Sequence, residues 1–118
     1  MTFVDELAKR TKTKEQLVQE ERLFLEKETI RFASNAIDGT KRCCVYEAER
    51  GKRAYDSRWA VSVIWEKFAG RPIYEKVAAK MIKEALEKEG FKSVKVRPFR
   101  HTDYDGDSSV GVRIIVKW

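Results

Sequence analysis

Between Arg71 and Trp118 the apolar period changes once, from 3.6 residues to 2, and this switch allows little except a helix feeding a β-hairpin. Arg71-Pro72 opens the helix, with proline expected in the first turn, where its missing N–H costs nothing. Tyr74, Val77, Ala78, Met81, Ile82 and Ala85 then recur at three- and four-residue steps as one apolar stripe. Gly90 ends the helix, because glycine enters the left-handed conformation without a Cβ clash, and Phe91 is placed to fold back on Leu86. Beyond it, Val94 and Val96 alternate with Lys95 and Arg97. Val110, Val112, Ile114, Val116 and Trp118 alternate in the same way with Gly111, Arg113, Ile115 and Lys117.

Upstream, Thr2 is placed to cap a short helix carrying Phe3, Val4 and Leu7. Thr13 with Gln16 forms a capping box, which starts a second helix near Lys14 and carries it to Gly39 as its C-cap. At about 100° per residue, Leu17, Val18, Phe24 and Leu25 share one arc of this helix. Ile30, Ala33 and Ile37 share another with Leu23 beside them, and Phe32 and Ala36 bridge the two. A helix apolar on two sides needs two covering surfaces. One is its own sheet, and a symmetric homo-oligomer contacting Leu23, Phe24, Ile30 and Ile37 supplies the other. The alternative is a long helix wrapped wholly around its own core.

Residues 41–50 read as a strand, Gly51-Lys52-Arg53 as a cationic turn, and Gly70 as punctuation before the central helix. Trp59-Ala60-Val61-Ser62-Val63-Ile64-Trp65 is dense in β-branched and aromatic residues and is read as a strand. A buried helix capped by Asp56 or Ser57 fits the same letters. The expected fold is α+β over a single domain, residues 1–118: a helical arm over 1–39 and an α+β core over 41–118. That core has about four mainly antiparallel strands, the Ile73–Glu89 helix packed on one face, and a C-terminal hairpin.

Hydrophobic residues make up 42% and charged residues 37% of the chain, which excludes wholesale disorder. No apolar run approaches the roughly 20 residues that span a bilayer, and the N-terminus lacks the basic-then-apolar profile of a secretory signal. No membrane partner is expected, and a cytoplasmic location is the default. Cys43 and Cys44 are sequence neighbours, a poor geometry for a disulfide, and with His101 as the only histidine one copy cannot build a four-ligand zinc site. They read as small, semi-buried residues in a reducing compartment. Net charge is +6, concentrated in residues 41–100, which hold sixteen basic side chains against eight acidic ones. An anionic partner would be drawn there, unless the excess charge serves solubility alone.

Asp103, Asp105 and Asp107 copy the opening of a calcium loop, but the twelfth position, where a bidentate glutamate is needed, is Ile114. Acids beside Gly106 suit a hairpin turn instead. Gly51-Lys52 lacks the upstream glycine of a phosphate loop, since position 46 is Tyr46. No hydrolase, zincin or dinucleotide motif is present, so no cofactor is expected and an enzyme is the weakest class. A metal-dependent hydrolase using the 101–107 loop would need acids converging from elsewhere. The stronger candidate is cationic and aromatic: Arg42, Tyr46, Arg50, Lys52, Arg53, Tyr55 and Arg58, with Trp59 beside them. Arginine forks suit phosphate and aromatic faces stack on bases; on a strand, Arg42, Tyr46 and Arg50 would share one face. Against this, the aromatics fit a core and the arginines fit pairs with Glu47, Glu49 and Asp56. Lys76, Lys80 and Lys83, interleaved with Glu84 and Glu87, read as a solvated helix face.

The charged N-terminal helix, the helix closing on Glu89-Gly90-Phe91 and the last strand Ile115-Val116-Lys117-Trp118 resemble the small α/β proteins of phage and prophage genomes that lack assigned functions. The resemblance covers about the last third of the chain and carries no site residue. It implies a small, often oligomeric, non-enzymatic accessory or inhibitor protein that binds host machinery or its nucleotide signals. The expected function is therefore an oligomeric binding protein presenting a basic surface to nucleic acid, nucleotide or acidic protein. The alternative is an assembly protein acting through protein contacts alone.

Overall fold

The computed structural model describes residues 2–63 and 72–118. Its elements run α1 (Phe3–Arg10), α2 (Lys14–Glu49), β1 (Ala54–Ser62), α3 (Glu75–Glu87), β2 (Ser93–Thr102) and β3 (Ser108–Lys117). The fold is α+β, with three helices and one three-stranded antiparallel sheet among the described residues, rather than about four strands.

The two N-terminal starts are built as their letters predict. Thr2 and Thr13 each accept a hydrogen bond from the backbone three residues on, and the Asp5 and Gln16 side chains each accept one in return. The missing strand is the larger correction. Residues 41–49 are helical with Arg50 as the C-cap, and α2 runs unbroken for 36 residues through Gly39. Cys43, Cys44, Val45 and Tyr46 have a local taste for β-structure, but Ala33, Ala36, Thr40 and Cys44 recur at helical steps and are all buried. Tertiary burial of that stripe outweighs the local preference. Gly39 is inside the helix because a Cβ there would fall within the Trp59 ring, so the glycine marks a close approach rather than a cap. The left-handed cap is Gly51, at φ +83°, just past Arg50.

Pro72 lies two residues before Tyr74, the N-cap of α3, and so stands outside the first turn; Arg71, Gly70 and the Ile64-Trp65 end of the β1 run fall outside the described residues. No side chain of α3 caps its own start. The buried Thr29 of α2 does part of that work from outside. Its hydroxyl accepts the Tyr74 N–H at 2.9 Å and donates to the Leu25 carbonyl at 2.6 Å. The core stripe of α3 is Ala78, Ala79, Ile82 and Leu86, rotated slightly from the expected one, so Val77 is about half exposed.

The sheet order is β1-β3-β2, both pairings antiparallel. β3 is central, and Val110, Val112, Ile114 and Val116 are buried against Ile82, Leu86 and the α2 stripe. Each such side chain contributes about 1.5–3 kcal/mol when fully buried. Pro98 is tolerated because β2 is an edge strand. Phe91 turns into the core with its ring edge-on to Trp118, 6.4 Å between centroids.

The molecule is elongated, with extents of 71 × 35 × 19 Å and a radius of gyration of 19.1 Å. A compact chain of this length would have about 13.5 Å. The excess comes from α1 and the first turns of α2, which hold no buried residue before Leu25.

Candidate functional site

Alternation along three strands in register gives the sheet two unlike faces. Tyr55, Trp59, Val61, Val94, Val96 and the β3 valines face the helices. The intervening positions face away, and no described helix packs there. The register aligns that outer face in rows: Arg58, Arg113 and Arg97 stand directly opposite one another across β1, β3 and β2. The next row along is Ala60, Gly111 and Phe99; on the other side it is Asp56, Ile115 and Lys95, and Lys117 follows.

Local chemistry shapes this face. Gly111 is glycine because a Cβ would meet the β1 backbone at Trp59 and Ala60. The bare position leaves room above β3, and Arg58 reaches over from β1 to set its guanidinium 5.7 Å from the centroid of the Phe99 ring on β2. Arg113 is held by a two-pronged pair with Asp56, Nε to Oδ1 at 3.1 Å and Nη2 to Oδ2 at 2.7 Å. Hydrogen bonding to Arg113 keeps the Asp56 carboxyl below the ordinary carboxylate range. Among the described residues, Lys95, Arg97 and Lys117 have no ion-pair partner. Asp56 is the only acid among the face positions paired in these rows.

The seven residues singled out from the sequence do not form one site. Arg42, Tyr46 and Arg50 do share a face, but through helical four-residue spacing at the end of α2. There the Arg50 guanidinium donates to the Tyr46 hydroxyl at 2.5 Å and lies 5.1 Å from its ring centroid. Lys52 pairs with Glu47 at 3.0 Å, and the Arg53 carbonyl accepts the Trp118 N–H at 3.0 Å. Tyr55 faces the core side of β1, where burial chiefly pushes its hydroxyl pKa up. Arg58 alone of the seven lies on the outer face. Lys95, Arg97, Phe99, Arg113 and Lys117 were missed. Their alternation with the valines marked them as outward, and only the strand register shows that the arginines coincide.

Asp107 N–H donates to the Asp103 carboxylate at 3.1 Å and Gly106 N–H to the Asp103 carbonyl at 3.1 Å, so these acids build the hairpin turn. Among the described residues no group of three or more His, Cys, Asp or Glu is placed to hold a metal ion. Cys43 and Cys44 are free thiols on α2, not on a strand, and burial pushes the Cys44 thiol up, away from the reactive thiolate. Of the residues proposed for self-association, Leu23 and Ile30 are about half exposed and Phe24 is 41% exposed, while Ile37 packs on the core. Between α2 and α3, Ile30, Val77 and Met81 line an apolar groove of about 520 Å³. No described helix is long and apolar enough to cross a membrane.

No family model matches the chain, and no curated protein or solved structure is significantly similar to it.

Proposed function

We propose that this protein is a non-enzymatic binding protein that holds an anionic polymer on the outer face of its sheet. The observation that carries this reading is the row Arg58-Arg113-Arg97. Like charges directly opposite on neighbouring strands destabilise a sheet, and solubility is served equally well by charges spread apart. Asp56 offsets Arg113, and Arg58 and Arg97 remain without an ion-pair partner among the described residues, which leaves the row with charge to offer an anion. A sheet face is a surface rather than a cleft, which suits a polymer better than a single nucleotide. The test is binding of labelled heparin, a polyanion without bases, from about 50 mM to 200 mM salt. Affinity should fall steeply with salt and drop further in Arg97→Ala; an affinity indifferent to both would refute the proposal.

A second reading, self-association, rests on different residues. Phe3, Val4, Leu7, Leu17, Val18 and Leu23 expose apolar surface along an arm that the core does not cover. Light scattering on the intact chain at high micromolar concentration should give a multiple of the 13.8 kDa monomer mass. Leu23→Glu should return it to one copy; a monomer throughout would end this reading. A binding oligomer of this kind fits the accessory role that the phage-protein resemblance implies.

A further inference from the structure

Resting on the polyanion reading above, we infer that the polymer is single-stranded nucleic acid, DNA or RNA, laid across the arginine row with a base against the Arg58–Phe99 pair. Two properties of the face set this apart from a generic basic patch. The first is spacing. Neighbouring strands lie about 4.8 Å apart and alternate residues along a strand about 6.8 Å apart, so Arg58, Arg97, Lys95 and Lys117 form a grid of cations at single-nucleotide scale. The charges of one strand advance about 3.4 Å per nucleotide along the axis when stacked and farther when splayed, so a splayed strand matches that grid.

The second property is a planar platform at the centre of the grid. Phe99 is half buried across from bare Gly111, and the Arg58 guanidinium is set over its ring. Aromatic rings and guanidinium planes are the surfaces on which unpaired bases stack. A duplex keeps its base faces covered and offers this pair nothing. An acidic protein would use the cations and leave the ring without a role. The Asp56–Arg113 pair adds orientation: it engages the middle guanidinium, with Arg97 left without an ion-pair partner among the described residues at one end of the row and Arg58, over Phe99, at the other.

The experiment is fluorescence anisotropy on the full chain with four probes: oligothymidylate and oligouridylate of about 15 nucleotides, the matching duplex, and heparin. The expected result is preference for both single strands over the duplex. With four cations engaged, log Kd should change against log salt with a slope magnitude near 3, falling by about 0.7 in Arg97→Ala. Phe99→Leu keeps an apolar side chain beside Gly111 but removes the stacking plane; it should lose about tenfold or more of single-strand affinity with the salt slope unchanged. A thermal melt of each variant confirms that it is folded, and Lys76→Ala on α3 should bind as the parent does. Binding to heparin but not to either single strand overturns this inference and leaves the polyanion reading standing. Duplex binding equal to single-strand binding, or a folded Phe99→Leu with unchanged affinity, also overturns it. No binding to any of the four probes at low salt overturns both.

Discussion

One sheet presents two faces built by opposite rules. On the inner face Val110, Val112, Ile114 and Val116 are essentially inaccessible and each neighbour is chosen for fit. On the outer face, at the same alternation and on the same backbone, Arg58, Arg113 and Arg97 stand side by side, with Arg113 held by Asp56 and Arg58 over the Phe99 ring. The inner face is explained once its packing is known. The outer face is not explained by packing, and the proposed polyanion binding is what would use it. A change on the inner face should therefore cost stability; one on the outer face should cost binding and leave the fold as it was or firmer.

The contrast breaks first where the core is cut. Ile114→Ala or Ile82→Ala should cost about 2–5 kcal/mol in urea unfolding, because both side chains are wholly buried in a packed cluster. A smaller loss would mean that the cluster collapses onto the gap. Next comes the tie between helices. Thr29→Val keeps shape but removes the hydroxyl that accepts the Tyr74 N–H, so about 0.5–1.5 kcal/mol should be lost, with faster amide exchange at the start of α3.

Crossing to the outer face should reverse the sign. Arg97→Thr removes a like-charged cross-strand neighbour and should hold or raise stability by about 0.2–1 kcal/mol, while polyanion affinity falls. A marked loss of stability would show that Arg97 is packing rather than binding. The smallest effect belongs to Asp56. Its carboxyl is held below the ordinary range in the folded protein, so its contribution is present above the unfolded carboxylate pKa and is lost as pH falls through the folded value. Asp56→Asn should flatten that acid limb slightly in a pH series of melts. At neutral pH the same change removes an acid and frees Arg113, so polyanion binding should tighten.

Much of this fold was legible in the letters. The capping boxes at Thr2 and Thr13 and the alternation around Val112 carry their own local chemistry, and each reappears in the structure. What failed was arbitration between local preference and distant packing. Gly39 reads as a stop because glycine commonly ends helices, and nothing near it in sequence reveals that Trp59, twenty residues on, needs the space. With Gly39 read as an end, Cys43 to Tyr46 have only their strand preference to go by. Arg42, Tyr46 and Arg50 were grouped correctly for the wrong reason, since steps of four share a face in both geometries. The outer face was hidden differently. Alternation states that Arg97 and Arg113 point outward, but which residue stands opposite which depends on a register that the turn at Asp103–Asp107 sets.

The unbroken run of α2 has a mechanical meaning. A rod of 36 residues is about 54 Å long, and its far half is cemented into the hub by the seat that Trp59 takes over Gly39. A partner held on the near half, as the self-association reading proposes, would thereby aim the arginine row, as a hand on a handle aims a blade. Inserting one residue between Leu17 and Leu23 would turn the grip by about 100° relative to the sheet without touching either end.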